Sequence, residues 1–386
     1  MKVSKSLFLL FLACFFAFSL SFMSFQNTTM THEEGGSRFW MMRIILLLDA
    51  VCVGVLVSNI KQKYKGIHLV CLLWLLVMPV IMFLNHNPIA DTVRTILWPL
   101  LFETTYLCCR NWISRAATIK RLFYIIAIVG AGYFLATRIG AIHQTNTIYF
   151  CLLPLPWLLF NTDKKTTIIL LLLFSAFVLL GMKRSTMLVM VLMWGFYFLY
   201  GMKSKRGKLY TIVVSVVLIA GVFILFERID DYTGGVLTER VNKEETDEGK
   251  GREAIWAITI SMIRESSPAK LLTGHGHFGV RQDSWLEISA HNDFLEVIYD
   301  YGLIIFFLYL CLWYYVLRRA YSLYRAQSPL FIPYSSSLSI FLAMSVVSHL
   351  ILYTTYFNYL VMFWGMIEAI IEMDKKQKLI KKKITR

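Results

Sequence analysis

Long apolar runs recur along the whole chain and constrain its fold more than any other feature. Each run is roughly 17–23 residues long, which is enough for a helix to cross a bilayer. The runs leave one sizeable polar segment, residues 227–291. Of the 386 residues, 57% are hydrophobic and 16% are charged, whereas a soluble domain carries about a quarter charged residues. The pattern predicts an all-α polytopic membrane protein without a large soluble domain.

The apolar runs predict about twelve transmembrane helices. The predicted spans cover approximately residues 6–25, 39–60, 67–84, 89–109, 122–142, 145–160, 166–182, 186–200, 209–226, 292–317, 331–352 and 356–371. We expect Pro154 and Pro156 to kink the sixth span. The first run resembles a signal peptide, but it is long and no Ala-x-Ala-like cleavage site follows it, so we interpret it as a first span.

The formal net charge of +15 raises the question of a nucleic-acid partner, but the basic residues lie mostly in short loops between apolar runs. Cytoplasmic loops of membrane proteins carry such an excess of Lys and Arg. If the N-terminus is cytoplasmic, nearly every basic loop falls on the cytoplasmic side. We therefore expect membrane lipids rather than nucleic acid as the surroundings. The expected organisation is nine spans in residues 1–226, an extracytoplasmic loop with short helices in 227–291, three spans in 292–371 and a basic cytoplasmic tail in 372–386.

The seven cysteines all lie within or at the ends of apolar runs. Buried thiols behave as small hydrophobic groups, so we expect neither a disulfide framework nor a cysteine-based metal site. In the polar loop, residues 253–265 have helical spacing, with Ile255, Ile258, Thr259 and Met262 on one face. We expect this helix to pack against the membrane helices.

The segment from residue 271 to residue 310 passes from a glycine-rich polar loop into an apolar run. The change occurs at residues 290–293, which puts the titratable imidazole of His291 where water meets lipid. In a continuous helix, Asn292, Glu296 and Asp300 would lie on one face because they are spaced i, i+4, i+8. Polar groups that enter a bilayer on one face contact protein or a water-filled cavity. We expect this segment to form the floor of a site at the outer membrane surface.

Several cations break the orientation rule. The pair Lys183-Arg184 lies in the tight turn between spans seven and eight, and Arg43, Arg94 and Arg138 lie near the predicted outer ends of other spans. A charged residue inside a span costs on the order of 2.5–3.5 kcal/mol, so their recurrence at one level suggests a shared anionic partner such as a phosphate. Alternatively, each Arg reaches the interface by itself, or Arg94 pairs with Asp91 one turn away.

The loop holds a second group of candidate residues. His275 and His277 form a His-x-His, which is a candidate metal site together with His291, but this spacing is weak support for a metal site. We expect no metal and no cofactor. Gly274 and Gly276 are expected to form turns over the site, because glycine readily adopts a positive φ.

An imidazole at the interface suits removal of a proton near neutral pH, which is typically worth about 10²–10⁴ in rate. Cations fixed in a dehydrated site would stabilise a leaving anion. The alternative for His291 is a purely structural residue at the start of a helix, bonded to nearby backbone.

Four motifs occur in a recognisable order: Arg252-x3-Trp256, Gly274-x-Gly276, Ala290-His291-Asn292-x2-Leu295-Glu296 and Tyr301-Gly302-Leu303. In this order they resemble the C-terminal signature of the O-antigen ligase/polymerase superfamily of bacterial polysaccharide enzymes. Lys183 departs from that resemblance, since the family turn usually reads Ser-Arg.

The resemblance implies a C-type glycosyltransferase-like membrane fold in the bacterial cytoplasmic membrane, with an extracytoplasmic active site. The implied reaction is a metal-independent transfer of a glycan from undecaprenyl diphosphate. His291 would be the base that deprotonates the acceptor hydroxyl. Arg184 and Arg252, with Arg94 from the group of cations described above, would hold the diphosphate. Asn292, Glu296, Gly274 and Gly276 would support the site.

The acceptor remains open at this point. A lipid-linked repeat unit would make the protein a polymerase, and a lipid A core would make it a ligase. We favour a polymerase, because ligation is needed once per surface whereas each glycan type needs its own polymerase. A transporter or flippase would instead predict two related halves with interrupted helices near the midplane. A non-catalytic assembly scaffold would explain the loop but not the cations.

Overall fold

A computed structural model of the chain describes residues 3–28, 35–59, 65–110, 112–138, 146–201, 224, 226–228, 230–231, 234–235, 252–351 and 354–384. Every regular element within these ranges is helical. The predicted ninth span, residues 209–226, lies almost entirely outside the described residues, as does the first part of the predicted loop.

The helices follow one another with short connections. In chain order they are α1 (Lys5–Thr28), α2 (Gly35–Val57), α3 (Ile67–Leu84), α4 (Ile89–Cys109), α5 (Ile113–Ala136), a 3-10 turn (Asn146–Ile148), α6 (Tyr149–Leu152), α7 (Leu155–Leu158), α8 (Lys164–Gly181), α9 (Arg184–Gly201), α10 (Arg252–Glu265), α11 (Pro268–Thr273), α12 (Gly279–Asp283), α13 (Asp293–Glu296), a π-helical turn (Val297–Tyr301), α14 (Gly302–Arg325), α15 (Phe331–Val347) and α16 (Thr354–Ile384).

Six stretches of helix in the described part of the chain are long and apolar enough to cross a membrane. They are Lys5–Ser24, Trp40–Val57, Ile67–Leu84, Ser114–Ala136, Lys164–Gly181 and Asp293–Arg325. α15 is a shorter apolar helix. These helices indicate a multi-pass membrane protein, and the count of twelve spans stays a prediction.

The core lies along α4, whose most extensive interface is with α16. Its Trp98 has a ring centroid 5.0 Å from that of Trp74 on α3 and 5.3 Å from that of Phe357 on α16. α9 packs against α15 in a second large interface. Because Lys183 precedes α9 and His349 follows α15, this interface brings these two residues to the same end of the bundle.

The expected helix in the polar loop is confirmed as α10, and Ile255 and Thr259 on its predicted face are buried. The predicted sixth span is interrupted at its prolines, since α6 ends before Pro154 and α7 has Pro156 in its first turn. All seven cysteines are free, and none is fully exposed.

The predicted tenth span, residues 292–317, is not one continuous helix. A short α13 passes into a π-helical turn, and α14 begins only at Gly302, whose φ is +77°. A side chain rarely adopts this φ, and a Cβ on Gly302 would lie 2.3 Å from the carbonyl oxygen of Leu272. The break therefore requires glycine and lets the loop backbone approach the helix.

The final helix is longer than the predicted twelfth span. α16 continues through most of the predicted tail to Ile384. Neither glycine nor proline interrupts residues 372–384, and Lys and Gln are good helix formers. Lys376 Nζ also lies 2.6 Å from a carboxylate oxygen of Glu372, four residues before it, an arrangement that supports a helix.

Candidate active site

Asn292 ends the loop and begins α13. It has an extended backbone, and its Oδ1 accepts hydrogen bonds from the N–H groups of Phe294 at 3.0 Å and Leu295 at 3.3 Å. This is the usual way in which an Asn side chain satisfies the free N–H groups at a helix start. Asn292 therefore fixes where the helix begins, directly after His291.

Asp293 fastens the segment between α15 and α16 to the start of α13. Its Oδ1 accepts hydrogen bonds from the backbone N–H groups of Leu350 at 2.8 Å and Ile351 at 3.1 Å. Its Oδ2 accepts a hydrogen bond from the Tyr309 hydroxyl at 3.3 Å. Asp293 is fully buried, so these hydrogen bonds are shielded from water. The result is that His349, next to Leu350, lies beside α13.

Glu296 connects two histidines through one carboxylate. Its Oε1 accepts a hydrogen bond from the backbone N–H of His291 at 3.0 Å. The Nδ1 atom of His349 lies 3.1 Å from Oε1 and 3.3 Å from Oε2. The rings of His291 and His349 contact each other, with centroids 4.1 Å apart and planes inclined by 34°. Both imidazoles thus belong to one site.

Burial keeps both imidazoles neutral. It lowers the pKa of His291 to about 3, and His349, Arg252 and Lys183 act in the same direction. The pKa of His349 is lowered by burial, then by Lys183 and Arg252. A neutral imidazole can accept a proton, which is what a general base must do. The same interactions place the charges of Lys183 and Arg252 close to both rings.

The turn between α8 and α9 supplies one of these cations. α8 ends at Met182, whose φ of +50° turns the chain into α9. Lys183 Nζ donates a hydrogen bond to Asn146 Oδ1 and lies 4.9 Å from the ring centroid of Tyr149. The Tyr149 hydroxyl is in turn 2.7 Å from Ser185 Oγ. Arg184, between these two residues, is partly buried in the first turn of α9.

The start of α10 supplies the other cation. Arg252 is the first residue of this helix, and Trp256, one turn later, donates a hydrogen bond from Nε1 to the carbonyl oxygen of Ala290 at 2.8 Å. Ile255 packs in a small core with Ala290 and other loop residues. These contacts tie α10 to the residue before His291, which explains why the Arg-x3-Trp spacing brings Arg252 to the histidines.

The glycine loop closes over the end of the π-helical turn. Gly274 and Gly276 have φ values of +77° and +113°, so the predicted turns are confirmed. The N–H of His275 donates to the carbonyl oxygen of Tyr299 at 2.9 Å, and that of Gly276 donates to the carbonyl oxygen of Asp300 at 2.8 Å. A Cβ on Gly274 would lie 2.2 Å from the Asp300 oxygen, so only glycine permits this contact.

Asn292, Glu296 and Asp300, which were expected to share one polar face, contact different groups. Asn292 caps the helix and Glu296 holds the histidines, whereas Asp300 Oδ1 accepts a hydrogen bond from the Val280 N–H at 2.9 Å. The α-helical spacing does not apply here because the π-helical turn changes the number of residues per turn. Asp300 therefore supports the loop rather than the floor of the site.

Arg94 lies in a different set of contacts. Its Nη1 is 3.5 Å from Asp91 Oδ1, and its charge helps to lower the pKa of His277, which burial brings to about 3. His277 Nδ1 is 2.5 Å from the Tyr301 hydroxyl. The interactions that reach His291 come instead from Lys183 and Arg252. The predicted grouping of Arg94 with His291 stays a prediction. Arg94 pairs with Asp91, as in the structural alternative given in the sequence analysis.

The two histidines of the His-x-His have different partners. His275 Nε2 is 2.9 Å from Ser266 Oγ, and its ring stacks on Tyr299 with centroids 4.1 Å apart. His277 instead contacts Tyr301. Both side chains fasten the loop to neighbouring elements. Within the ranges that the structure describes, no group of three or more His, Cys, Asp or Glu side chains is arranged to hold a metal ion.

Sequence reasoning missed one residue of the site, His349, because it falls inside the predicted eleventh span, 331–352. Lys183 belongs to the cations for which the sequence suggests a shared anionic partner, although it departs from the family pattern. A titratable residue in an apolar span is itself a sign of function, and this signal would have identified His349. α15 ends at Val347, so His349 lies in the connection that follows it.

Residues 169–310 match the sequence model of a family described as O-Antigen ligase. The matched stretch begins within α8 and ends within α14, so it contains Lys183, Arg184, Arg252 and His291. No curated protein matches the chain. The match confirms the resemblance predicted from the motifs. It supports membrane glycosyltransferase activity in polysaccharide biosynthesis in general terms.

Proposed function

We propose that this chain, a member of the O-antigen ligase/polymerase superfamily, transfers a glycan from undecaprenyl diphosphate to an acceptor sugar without a metal ion. The site would face the outside of the bacterial cytoplasmic membrane, with both chain termini inside. The observation that carries the proposal is a partly buried imidazole, His291, which stacks on His349 and interacts with the charges of Lys183 and Arg252. A base and fixed cations meet the needs of a transfer that removes a hydroxyl proton and releases a diphosphate.

In the proposed reaction, the acceptor hydroxyl oxygen attacks the anomeric carbon of the donor glycan. The new bond joins this oxygen to the anomeric carbon, and the bond from the anomeric carbon to the phosphate oxygen breaks. A ring nitrogen of His291 takes the hydroxyl proton. Undecaprenyl diphosphate leaves with the electron pair of the broken bond, so charge accumulates on the diphosphate.

The leaving diphosphate needs compensating charge. Arg252 and Lys183 lie close to His291 in a buried site, where a cation stabilises an anion more strongly than it does in water. Arg184, next to Lys183, is the third cation of the proposal. Arg184 and Arg252 each lie at the N-terminus of a helix, where the helix dipole also favours an anion. Arg94 stays a predicted ligand of the diphosphate, and its guanidinium lies 3.5 Å from Asp91.

We infer a polymerase, whose acceptor is a second lipid-linked repeat unit. We favour this acceptor because each glycan type requires its own polymerase, whereas ligation is needed once per surface. The alternative is ligation to a lipid A core, which is supported by the description of the matched family as O-Antigen ligase. The two activities share the donor and the chemistry at His291 and differ in the acceptor alone.

The acceptor is tested by deleting the gene in the source bacterium and separating its surface polysaccharide on a gel. A polymerase predicts that only single repeat units reach the lipid A core. A ligase predicts free lipid-linked polymer and bare core. Accumulation of lipid-linked repeat units on the cytoplasmic leaflet would indicate a flippase. Unchanged polysaccharide would contradict all three activities.

The site is tested by complementing the deletion with single variants at equal protein level. His291→Ala should lower transfer by about 10²–10⁴-fold because the base is lost, and Arg184→Ala should reproduce the deletion phenotype. His86→Asn and Arg281→Ala are matched controls, since both native side chains are exposed. Full activity of both site variants would remove the assignment.

A further inference from the structure

His349 is held between a carboxylate and the proposed base. Its Nδ1 is 3.1 Å from Glu296 Oε1, and its ring centroid is 4.1 Å from that of His291. The side chain of His349 is 12% exposed and that of Glu296 is 2% exposed. The three groups thus form a chain of contacts with little access to water, in which His349 is the middle member.

The carboxylate fixes the orientation of the His349 ring. Glu296 Oε1 already accepts the backbone N–H of His291, and His349 Nδ1 lies within 3.3 Å of both carboxylate oxygens. One hydrogen bond therefore joins Nδ1 to the carboxyl group, with the proton on either the imidazole or the carboxyl group. This contact opposes rotation of the imidazole, just as the Asp of a Ser-His-Asp triad holds its His.

His291 needs such support because its own backbone is unusual. Its φ is +53°, in the left-handed region that few residues adopt. Residues in such conformations persist only where the surroundings hold them, and they concentrate at functional sites. Glu296 holds both parts of the stack, the backbone N–H of His291 and the ring of His349. One carboxylate therefore controls the orientation of two imidazoles.

We propose that His349 is a positioning residue, which Glu296 orients and whose ring holds the His291 ring in line with the acceptor hydroxyl. This inference rests on the proposed role of His291 as the base. His349 acts through His291 and does not itself need to touch substrate.

The chain contains a matched control for this inference. His68 Nδ1 lies 2.9 Å and 3.0 Å from the two carboxylate oxygens of Glu103, nearly the geometry of the pair formed by His349 and Glu296. That pair joins α3 to α4, and the His68 ring contacts Tyr106 and Phe102 rather than a second imidazole. Truncating His68 therefore removes a similar His–Glu contact without disturbing the proposed base.

The experiment uses the full chain in lipid nanodiscs and the lipid-linked glycan that accumulates in the deletion strain. The rate of undecaprenyl diphosphate release gives kcat and the donor KM. His349→Ala should lower kcat about 100-fold, a loss comparable to that of a general base, while the donor KM stays within about three-fold. His349→Phe keeps a stacking ring, so its kcat should be about ten-fold higher than that of His349→Ala.

Two comparisons separate a positioning role of His349 from an effect on stability. His68→Ala should lower Tm as His349→Ala does but keep kcat within about three-fold of wild type. The double variant of His291→Ala with His349→Ala should be no slower than His291→Ala alone, because residues that act as a unit are not additive. A His349→Ala enzyme with wild-type kcat, or losses that simply multiply in the double variant, would overturn the inference. Wild-type activity of His291→Ala would instead contradict the proposed function.

Discussion

At the scale of single residues, the site places neutral imidazoles near fixed positive charges. Burial lowers the pKa of His291 to about 3, so its imidazole is neutral at pH 7 but is a weaker base than an exposed histidine. Lys183 and Arg252 contribute to that lowering, which means that the cations and the base are mutually unfavourable once the base is protonated. A bound anion would relieve this repulsion. The side chains are therefore arranged for a reaction in which negative charge grows as the base takes up a proton.

Substitution of Lys183 tests directly whether the site binds an anionic ligand. Replacing Lys183 with Ala should weaken binding of farnesyl diphosphate, a soluble prenyl diphosphate, by about 10–100-fold, as expected for one hydrogen bond to a charged group. Lys183→Arg keeps the charge and should bind nearly as wild type does. Binding is measured from the rise in Tm with ligand concentration. Lys165→Ala, at the other end of α8 and exposed, is the control. Equal binding by Lys183→Ala and wild type would exclude Lys183 from the site.

The buried histidines also predict how stability depends on pH. The pKa values of His291, His349 and His277 all fall from 6.5 to about 3 in the folded chain. Between these values the unfolded chain binds more protons, so the stability present above pH 6.5 is lost as the pH falls toward 3. These three groups therefore favour a lower Tm in detergent at pH 5 than at pH 7.5.

His349→Phe should make that fall in Tm smaller, because one of the responsible groups no longer titrates. His86→Asn changes an exposed histidine whose φ of +55° suits Asn, and it should leave the slope unchanged. A change in Tm between the two pH values that is the same in His349→Phe and in the wild-type chain would contradict the linkage.

At the scale of secondary-structure elements, the decisive feature is the broken helix that runs from α13 through the π-helical turn to α14. The break at Gly302 exposes backbone carbonyl groups of Tyr299 and Asp300, which the glycine loop then binds. π-helical turns occur frequently at functional sites for this reason, since they re-aim side chains within a helix. Here the turn assigns Glu296 to the histidines and Asp300 to the loop.

Gly302→Ala tests the broken helix. The backbone conformation alone costs a residue other than glycine about 1–3 kcal/mol, and the added Cβ would meet the Leu272 carbonyl oxygen at 2.3 Å. We expect a lower Tm and a lower yield of folded protein. Gly132→Ala in α5 is the control, because no atom lies within 4 Å of a Cβ there. A Gly302→Ala chain with wild-type Tm would show that the break is not needed.

For the whole molecule, the interface of α9 with α15 and the packing of α10 on α13 bring distant parts of the chain to one end of the bundle. The opposite end of α14 is joined to α16 by Arg319 and Glu368, whose charged groups lie 2.5 Å apart. The two ends thus differ in kind, with ion pairing at one end and neutral imidazoles beside cations at the other. The predicted orientation assigns the imidazole end to the outside of the membrane.

Cysteine labelling tests this orientation. Arg281→Cys, in α12 of the loop, and Lys375→Cys, near the end of α16, both introduce thiols at exposed positions. In spheroplasts, a membrane-impermeant maleimide should label residue 281 and should label residue 375 only after permeabilisation. The unmodified chain measures the background, since six of its cysteines are buried and Cys311 is partly buried. The reverse labelling pattern would invert the proposed topology.

Local patterns in the sequence were sufficient for several of these features. Membrane helices were identified because the partitioning of an apolar run of about 20 residues depends on its own composition. α10 followed from its helical spacing, and the turns at Gly274 and Gly276 followed from glycine chemistry. His291 was found because the boundary between polar loop and apolar run passes through it. Each of these inferences uses residues within a few turns of one another.

Contacts between distant segments were decided only by the tertiary structure. Glu296 and His349 are 53 residues apart, and no local pattern relates a carboxylate in one helix to an imidazole beyond the end of another. The π-helical turn also escaped prediction, because it depends on the loop backbone that packs against Gly302. Sequence alone predicts the membrane helices, the resemblance to the superfamily and the candidate base, since these depend on local composition and spacing. The partners of that base were decided by packing, which joins side chains without regard to their separation along the chain.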